Sequence, residues 1–360
     1  MKKSVCMVAG EASADKHASA VIHALKEITP EVEVFGMGGP EMKAAGMECI
    51  YGIDEFSVMG FSDVIPRLRH IYSVYKGILK AVAERRPDVV VPVDLPDFNM
   101  RLAHRVKRSG IKVLYYIAPQ AWAWRRYRAR TLSRITDGLA VIFPFEEGFF
   151  SSYGVNARYV GHPFMESGIG QPSPSWPPKN IVLMPGSRLH EIETILPSML
   201  GAKQIVQKKY PGILWRLRMA PGLDKKKIEA MVGSDVALTA DMPPADLAVV
   251  KSGTSCFEMA VMGIPEVICY RTSAFNYRIA KAFVTVDHIG MPNIILGRCA
   301  VPEVIQDDLT PETLAHEVIG LIEDKDRYRE MQCAFAEMRK RLGSSSPSQG
   351  VASWIQSMTD

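Results

Sequence analysis

Short runs of β-branched and apolar residues alternate along the whole chain with stretches whose apolar positions recur every three or four residues. A short apolar run reads as a strand buried on both faces and the longer periodic stretch as a helix covering it, so the pattern predicts parallel sheets wrapped by helices. Strands are expected at Ser4 to Ala9, Val32 to Gly36, Asp88 to Val93, Lys112 to Ile117 and Gly138 to Ile142. A second series is expected at Asn180 to Met184, Leu214 to Met219, Ala245 to Val250 and Glu266 to Tyr270. Between the two series, Gly168 to Lys179 (GIGQPSPSWPPK) is rich in Pro, Ser and Gly and lacks periodicity. It divides the chain into a domain over 1–167 and a second over 168–342. The second ends in a helical stretch, Arg327 to Leu342, and the tail 343–360 is expected to pack back across one domain or the other. Each half reads as a doubly wound α/β unit, which places ligands where strand carboxyl ends meet helix N-termini. No internal repeat stands out.

At 360 residues with 47% hydrophobic composition, the chain can bury two cores and disorder is excluded. Six scattered cysteines without a C-x-x-C pair fit neither a disulfide framework nor a zinc site, and a reducing cytosol is expected. Lys2 and Lys3 precede an apolar run that Gly10 and Glu11 end too early for a signal peptide. No apolar stretch approaches the roughly 20 residues of a membrane-spanning helix, so contact with lipid is expected to be peripheral.

The net charge of +4 hides an uneven distribution, because Arg101 to Arg134 holds ten basic residues and no acidic one. Its densest part combines Trp122 and Trp124 with Arg125, Arg126 and Arg128, a mixture suited to an anionic membrane surface. A solvated helix face is the alternative. The segment Phe56 to Leu79, apolar with Arg67, Arg69 and Lys76, suits acyl chains or a membrane surface, with a packed amphipathic helix as the alternative for its later part.

Four strand-end turns and one loop carry candidate chemistry. Gly10-Glu11-Ala12-Ser13-Ala14-Asp15 follows the opening strand, with Ser13 placed to cap the next helix and Glu11 facing the expected cleft as a candidate catalytic carboxylate. Alternatively, Glu11 and Asp15 complement the helix dipole, worth about 0.3 to 1 kcal/mol each. It is no dinucleotide site, since G-x-G-x-x-G is absent. Asp94-Leu95-Pro96-Asp97-Phe98-Asn99 offers Asp94 as a base for a sugar hydroxyl attacking an anomeric carbon. The other reading has Asp97 and Asn99 capping a helix while Asp94 satisfies backbone donors.

Pro185-Gly186-Ser187-Arg188 lets backbone amides approach a diphosphate at a helix start, with Arg188 adding a fork of donors; a plain Ser187 cap is the alternative. In Lys251-Ser252-Gly253-Thr254-Ser255-Cys256-Phe257-Glu258, Ser252, Gly253 and Thr254 could meet phosphate and Glu258 the ribose hydroxyls, while Ser255 and Glu258 have capping-box spacing. Met291 to Arg298 is a loop whose Asn293 reads as a turn residue.

Taken in order, GEASADKHA, GMGGPEM, FSVMGFSDVIPRL, PDVVVPVDLPDFN, PQAWAWRRYR, FPFE, VGHP, LMPGSRLHEI, KSGTSCFE and MPNIILGR closely resemble the lipid-A-disaccharide synthase family over roughly residues 4 to 310. The resemblance implies a GT-B fold, two Rossmann-like domains facing across a cleft, and an inverting glycosyltransferase with no metal or cofactor. Its donor would be UDP-2,3-diacylglucosamine and its acceptor 2,3-diacylglucosamine 1-phosphate, giving a β-1,6 disaccharide 1-phosphate and UDP at the inner face of a bacterial inner membrane. By motif, Asp94 matches the proposed base, Arg188 the phosphate-binding arginine, Asn293 and Arg298 important polar positions, and Glu258 a nucleotide-side glutamate. Ala14 stands where the family commonly has glycine, and Lys251 where alanine is also common. No nucleic-acid partner is expected, and a homodimer stays open. The rivals are a UDP-N-acetylglucosamine 2-epimerase, another UDP-sugar transferase, or a non-catalytic binder using the basic patch.

Overall fold

The computed structural model describes residues 3–55, 64–170, 172–233, 236–274, 277–278 and 286–360, with side chains omitted for 55 and 64–68. The chain divides into two compact units, one formed by Met1–Ser167 with Leu342–Asp360 and the other by Gly168–Arg341.

Among the described residues the first unit holds seven strands: β1 Ser4–Ala9, β2 Glu33–Gly38, β3 Glu48–Gly52, β4 Val89–Val93, β5 Lys112–Tyr116, β6 Gly138–Val141 and β7 Ala157–Tyr159. They form one parallel sheet in the order β3-β2-β1-β4-β5-β6-β7. Val5, Met7 and Ala9 of β1 enter one apolar cluster and Cys6 and Val8 the other, so both faces of the sheet are buried. That is why the strand reads as an unbroken apolar run and not as an alternating one. The order reverses between β1 and β4, the switch point where doubly wound sheets bind ligands.

The last helix, Pro347–Thr359, belongs to this first unit, where Val351, Trp354 and Ile355 are buried in the core beside helix Ala12–Ile28. The Tyr159 hydroxyl donates to the Leu342 carbonyl (2.6 Å), and a Cβ on Gly138 would meet Trp354 at 2.5 Å. Burying each large apolar side chain contributes about 1.5–3 kcal/mol, so the tail is part of this unit's core.

The second unit holds β8 Asn180–Met184, β9 Leu214–Arg218, β10 Ala237–Thr239, β11 Leu247–Lys251, β12 Glu266–Tyr270 and β13 Glu303–Ile305. These too are parallel, in the order β10-β9-β8-β11-β12-β13, with the switch point between β8 and β11.

Of the Phe56 to Leu79 segment, Phe56 to Asp63 lies outside the described residues. The later part is helix Val64–Arg85, whose Val74 and Ile78 are buried, making it a packed amphipathic helix. No helix among the described residues is long and apolar enough to cross a membrane.

Candidate functional site

At the first unit's switch point, the turn after β1 carries Gly10 and Glu11, and the turn after β4 carries Asp94 and Leu95. A Cβ on Gly10 would meet Leu95 Cδ2 at 2.5 Å, so glycine is what lets these turns touch. Asp94 and Leu95 are both left-handed (φ 49° and 50°), and Ile117, just past β5, has φ 63°. Such backbone costs of the order of 1–3 kcal/mol per non-glycine residue and persists only where its surroundings over-determine it. Here they do. The Asp94 amide donates to the Tyr116 carbonyl (3.0 Å), and its own carbonyl accepts from the Tyr115 hydroxyl (2.7 Å) and Asn99 Nδ2 (2.8 Å). Asn99 also donates to the carbonyls of Val93 and Val8, stitching β1 to β4.

Burial, and then the negative charge of Glu11, push the Asp94 carboxyl up to about 6 against a smaller opposing effect of the Leu95 amide. A carboxylate with that proton affinity is ionised at neutral pH yet basic enough to take a proton. Glu11 is exposed and acts on Asp94 through this charge.

Several sequence-based expectations here are corrected. Glu11, not Ser13, is the N-cap of helix Ala12–Ile28, and its side chain makes no cap bond. Asp15 does more than complement a dipole. It is buried and accepts from the amides of Gly39 (2.7 Å), Glu41 (3.0 Å) and Met42 (3.1 Å), holding the next helix start. Asp97 and Asn99 lie inside helix Pro96–Arg108 and do not cap it; Asp97 pairs with Arg128.

The membrane patch shrinks for the same kind of reason. Arg128 is buried in that ion pair, and Trp122 is only 6% exposed, donating its indole N–H to Glu146 Oε1 at 2.9 Å. What stays outside is Trp124, 42% exposed with the Arg125 guanidinium 4.0 Å over its ring, together with Arg126 and the 61% exposed Tyr127.

Sequence reasoning did not single out Glu146, His17 or His162. Glu146 is fully buried, and besides Trp122 it accepts from the amides of Phe143 and Ile142; burial pushes its carboxyl up to about 7 against those hydrogen bonds. His162 follows β7, lies tilted against the Phe143 ring with centroids 5.1 Å apart, and accepts the Phe164 amide at Nδ1. Burial, then the neighbouring His17, lowers it to about 3, while burial, then Lys16, lowers His17 to about 4 against the pull of Glu166. Both imidazoles are therefore neutral at neutral pH. The motifs FPFE and VGHP were the signal for this cluster, but a motif does not reveal which members are buried.

In the second unit, the turns after β8 and β11 meet at the switch point. Helix Leu189–Lys209 starts at Arg188 and helix Thr254–Met262 at Gly253, and neither N-cap residue supplies a side-chain cap. Both helix starts therefore leave first-turn amides for an anion. Gly186 (φ 132°) and Gly253 (φ 152°) take backbone conformations that other residues rarely adopt. The Arg188 side chain is 74% exposed and lies 3.8 Å from Glu191 Oε1. Lys251 Nζ is 3.0 Å from the same oxygen, and the Ser187 amide donates to Oε2 (3.3 Å). Burial works to raise the Glu191 carboxyl, but Lys251, Ser187 and Arg188 together hold it below the ordinary value.

The Ser187 cap and the Ser255–Glu258 capping box are not formed. Glu258 instead pairs with Arg218 of β9 through Oε2 at 2.8 Å. The Ser252 hydroxyl proton goes to the Ile289 carbonyl (2.8 Å), so Ser252 has none for phosphate, whereas Gly253 and Thr254 are exposed.

Asn293 is corrected most fully. It is completely buried; Nδ2 donates to the Val301 carbonyl and Glu303 Oε1 (2.8 Å each), and Oδ1 accepts the amides of Ala300 (2.8 Å) and Val301 (2.9 Å). An amide has two donors and two acceptor sites, so none is left for a ligand. Asn293 ties the loop carrying Arg298, and Arg298 itself forms a two-pronged pair with Glu337 on helix Lys325–Leu342.

Comparisons with known proteins bear on family and fold. A family model described as "Lipid-A-disaccharide synthetase" matches residues 5–353. The "Lipid-A-disaccharide synthase" of Anaeromyxobacter sp. (strain K) is 38% identical over 359 residues, covering 94% of this chain and 93% of the relative. That of Geobacter metallireducens is 37% identical, covering 99% and 97%. Among solved structures, a UDP-GlcNAc 2-epimerase from Neisseria meningitidis bound to UDP-GlcNAc superposes with a TM-score of 0.65 at 13% identity, covering 99% of this chain and all of that one. Acinetobacter baumannii MurG gives 0.57 at 17%, with coverages of 99% and 100%. At such low identity these two show the fold alone, two Rossmann-like domains of GT-B type, whereas the near-complete matches in sequence establish kinship: the chain belongs to the lipid-A-disaccharide synthetase family.

Proposed function

We infer that the chain is a lipid-A-disaccharide synthase, an inverting glycosyltransferase. It transfers 2,3-diacylglucosamine from UDP-2,3-diacylglucosamine to 2,3-diacylglucosamine 1-phosphate, forming a β-1,6 disaccharide 1-phosphate and UDP. The first unit is the acceptor side and the second the UDP-sugar side. The observation that carries the assignment of roles is the pair of switch points: one bears a carboxylate made basic by burial and by a neighbouring glutamate, the other two helix starts without side-chain caps and a basic fork.

In this reading the acceptor's hydroxyl oxygen bonds to the donor's anomeric carbon as the bond to UDP breaks. Asp94 takes the hydroxyl proton and Glu11 raises its proton affinity. Arg188, with the amides of Ser187, Gly253 and Thr254, neutralises the charge that grows on the departing diphosphate. Glu258, oriented by Arg218, accepts from the ribose. Incubating the protein with both diacylglucosamine substrates is expected to release one UDP per disaccharide 1-phosphate formed. UDP-N-acetylglucosamine epimerised without any UDP release would contradict the assignment.

We further propose that Trp124, Arg125, Arg126 and Tyr127 hold the enzyme peripherally on the anionic inner face of the inner membrane, where its lipid substrates reside. Each basic residue near such a surface contributes about 1 kcal/mol. Sedimentation with vesicles containing phosphatidylglycerol is expected at low salt and to be lost at 1 M salt, where the screening length falls to about 3 Å. It is also expected to be lost in Arg125→Glu/Arg126→Glu. Binding that ignores both changes would remove the electrostatic reading.

A further inference from the structure

The carboxylate of Glu191 occupies, within the second unit, a place suited to a phosphate. Three donors converge on it: the Ser187 amide at 3.3 Å, Lys251 Nζ at 3.0 Å and Arg188 Nη1 at 3.8 Å. They are the kinds of donor a diphosphate needs, namely a turn amide, an ammonium and a guanidinium. Contact on the fourth side is just as close, for a Cβ on Gly186 would stand 2.7 Å from Glu191 Oε2. The side chains of Glu191 and Lys251 are only 12% and 20% exposed, so solvent screens the pair less than a surface pair. A glutamate in a first helical turn is ordinarily placed to complement the dipole. Here it also neutralises the three groups that would otherwise greet an anion.

We propose that Glu191 is an internal counter-anion that competes with the nucleotide diphosphate for the Ser187 amide, Arg188 and Lys251, and that Lys251 transfers its charge from Glu191 to the departing diphosphate. The proposal rests on the reading that these turns bind UDP. It answers a problem inherent in the reaction. A grip strong enough to stabilise the leaving diphosphate also retains the product, and slow product release limits turnover. A carboxylate that returns to the same donors weakens the hold on UDP once transfer is complete. Lys251 then meets the diphosphate directly, whereas Glu191 is a positioning residue that sets affinity without touching the reacting atoms.

The test compares UDP and uridine binding by calorimetry in the wild type, Glu191→Gln and Lys251→Met, each checked for an intact thermal transition. Removing a like charge that shares its donors with a diphosphate strengthens binding, so Glu191→Gln is expected to hold UDP about three- to tenfold tighter with uridine unchanged. Lys251→Met is expected to weaken UDP and leave uridine alone. A glutamate that merely braces the turn gives the opposite sign, with UDP weakened in Glu191→Gln. That result, or equal shifts for uridine and UDP, overturns the counter-anion while leaving the nucleotide site standing. Unaltered UDP affinity in Lys251→Met also overturns it, even if Glu191→Gln fails to fold. A wild type that binds neither ligand overturns the nucleotide site and the counter-anion together.

Discussion

Asp94→Asn is expected to lower sugar transfer by about 10²- to 10⁴-fold, the usual contribution of a positioned general base, while UDP affinity stays within about twofold. The amide keeps the shape of the carboxylate and cannot take the proton. A second effect separates this residue from one that serves only structure: the variant is expected to be more stable than the wild type at neutral pH. The folded-state proton affinity of Asp94 is raised from 3.8 to about 6 by burial and by Glu11. For a raised carboxyl, the contribution to stability is present below the unfolded value and is lost as pH rises through the folded one. Above about pH 6 the ionised group is therefore a net cost, on the order of 1–3 kcal/mol. Asparagine removes the charge and tolerates the left-handed backbone at φ 49° better than most residues. A melting temperature higher by a few degrees, with transfer nearly abolished, is the combined signature. Loss of both stability and activity would instead mean that Asp94 holds the β4 turn together.

Arg188→Ala is expected to weaken UDP binding about 10- to 150-fold, corresponding to the 1.5–3 kcal/mol of a charge-assisted hydrogen bond. Transfer should fall at least as far, because charge on the diphosphate grows as the bond to the sugar breaks. The side chain is 74% exposed, so stability should change by no more than about 0.5 kcal/mol. Arg188→Lys keeps the charge but loses the planar fork and should fall between the two. Calorimetry with UDP checks all three proteins; unchanged affinity in the alanine variant would move the diphosphate elsewhere.

Most of the central strands were legible because they are buried on two faces and read as continuous apolar runs; β9, LWRLR, alternates instead between buried and more open positions. The four strands that escaped, β3, β7, β10 and β13, are the four sheet edges. Three of them are only three residues long, and β3 is exposed or half-buried throughout, so no periodic signal could mark them. The strand-end turns were equally legible, since glycine and short polar residues after an apolar run announce them. Which side chain does what inside a turn was not. Ser13, Ser187 and Ser255 have the chemistry of caps, yet the helices begin one or two residues away, at Glu11, Arg188 and Gly253, and that choice is settled by packing. Burial was the other hidden variable. Trp122, Arg128 and Asn293 look like surface or ligand-binding residues in sequence, and tertiary partners far along the chain draw them inward: Glu146, Asp97 and Glu303.

The pH dependence of kcat/KM for disaccharide formation tests the role of Asp94 most directly, because it reports the essential base in the free enzyme. The account predicts a single-proton acid limb with its midpoint near pH 6, where Asp94 gains its proton, and disappearance of that limb from the residual rate of Asp94→Asn. A wild-type profile flat down to pH 5, or a limb that survives in the variant, would contradict it.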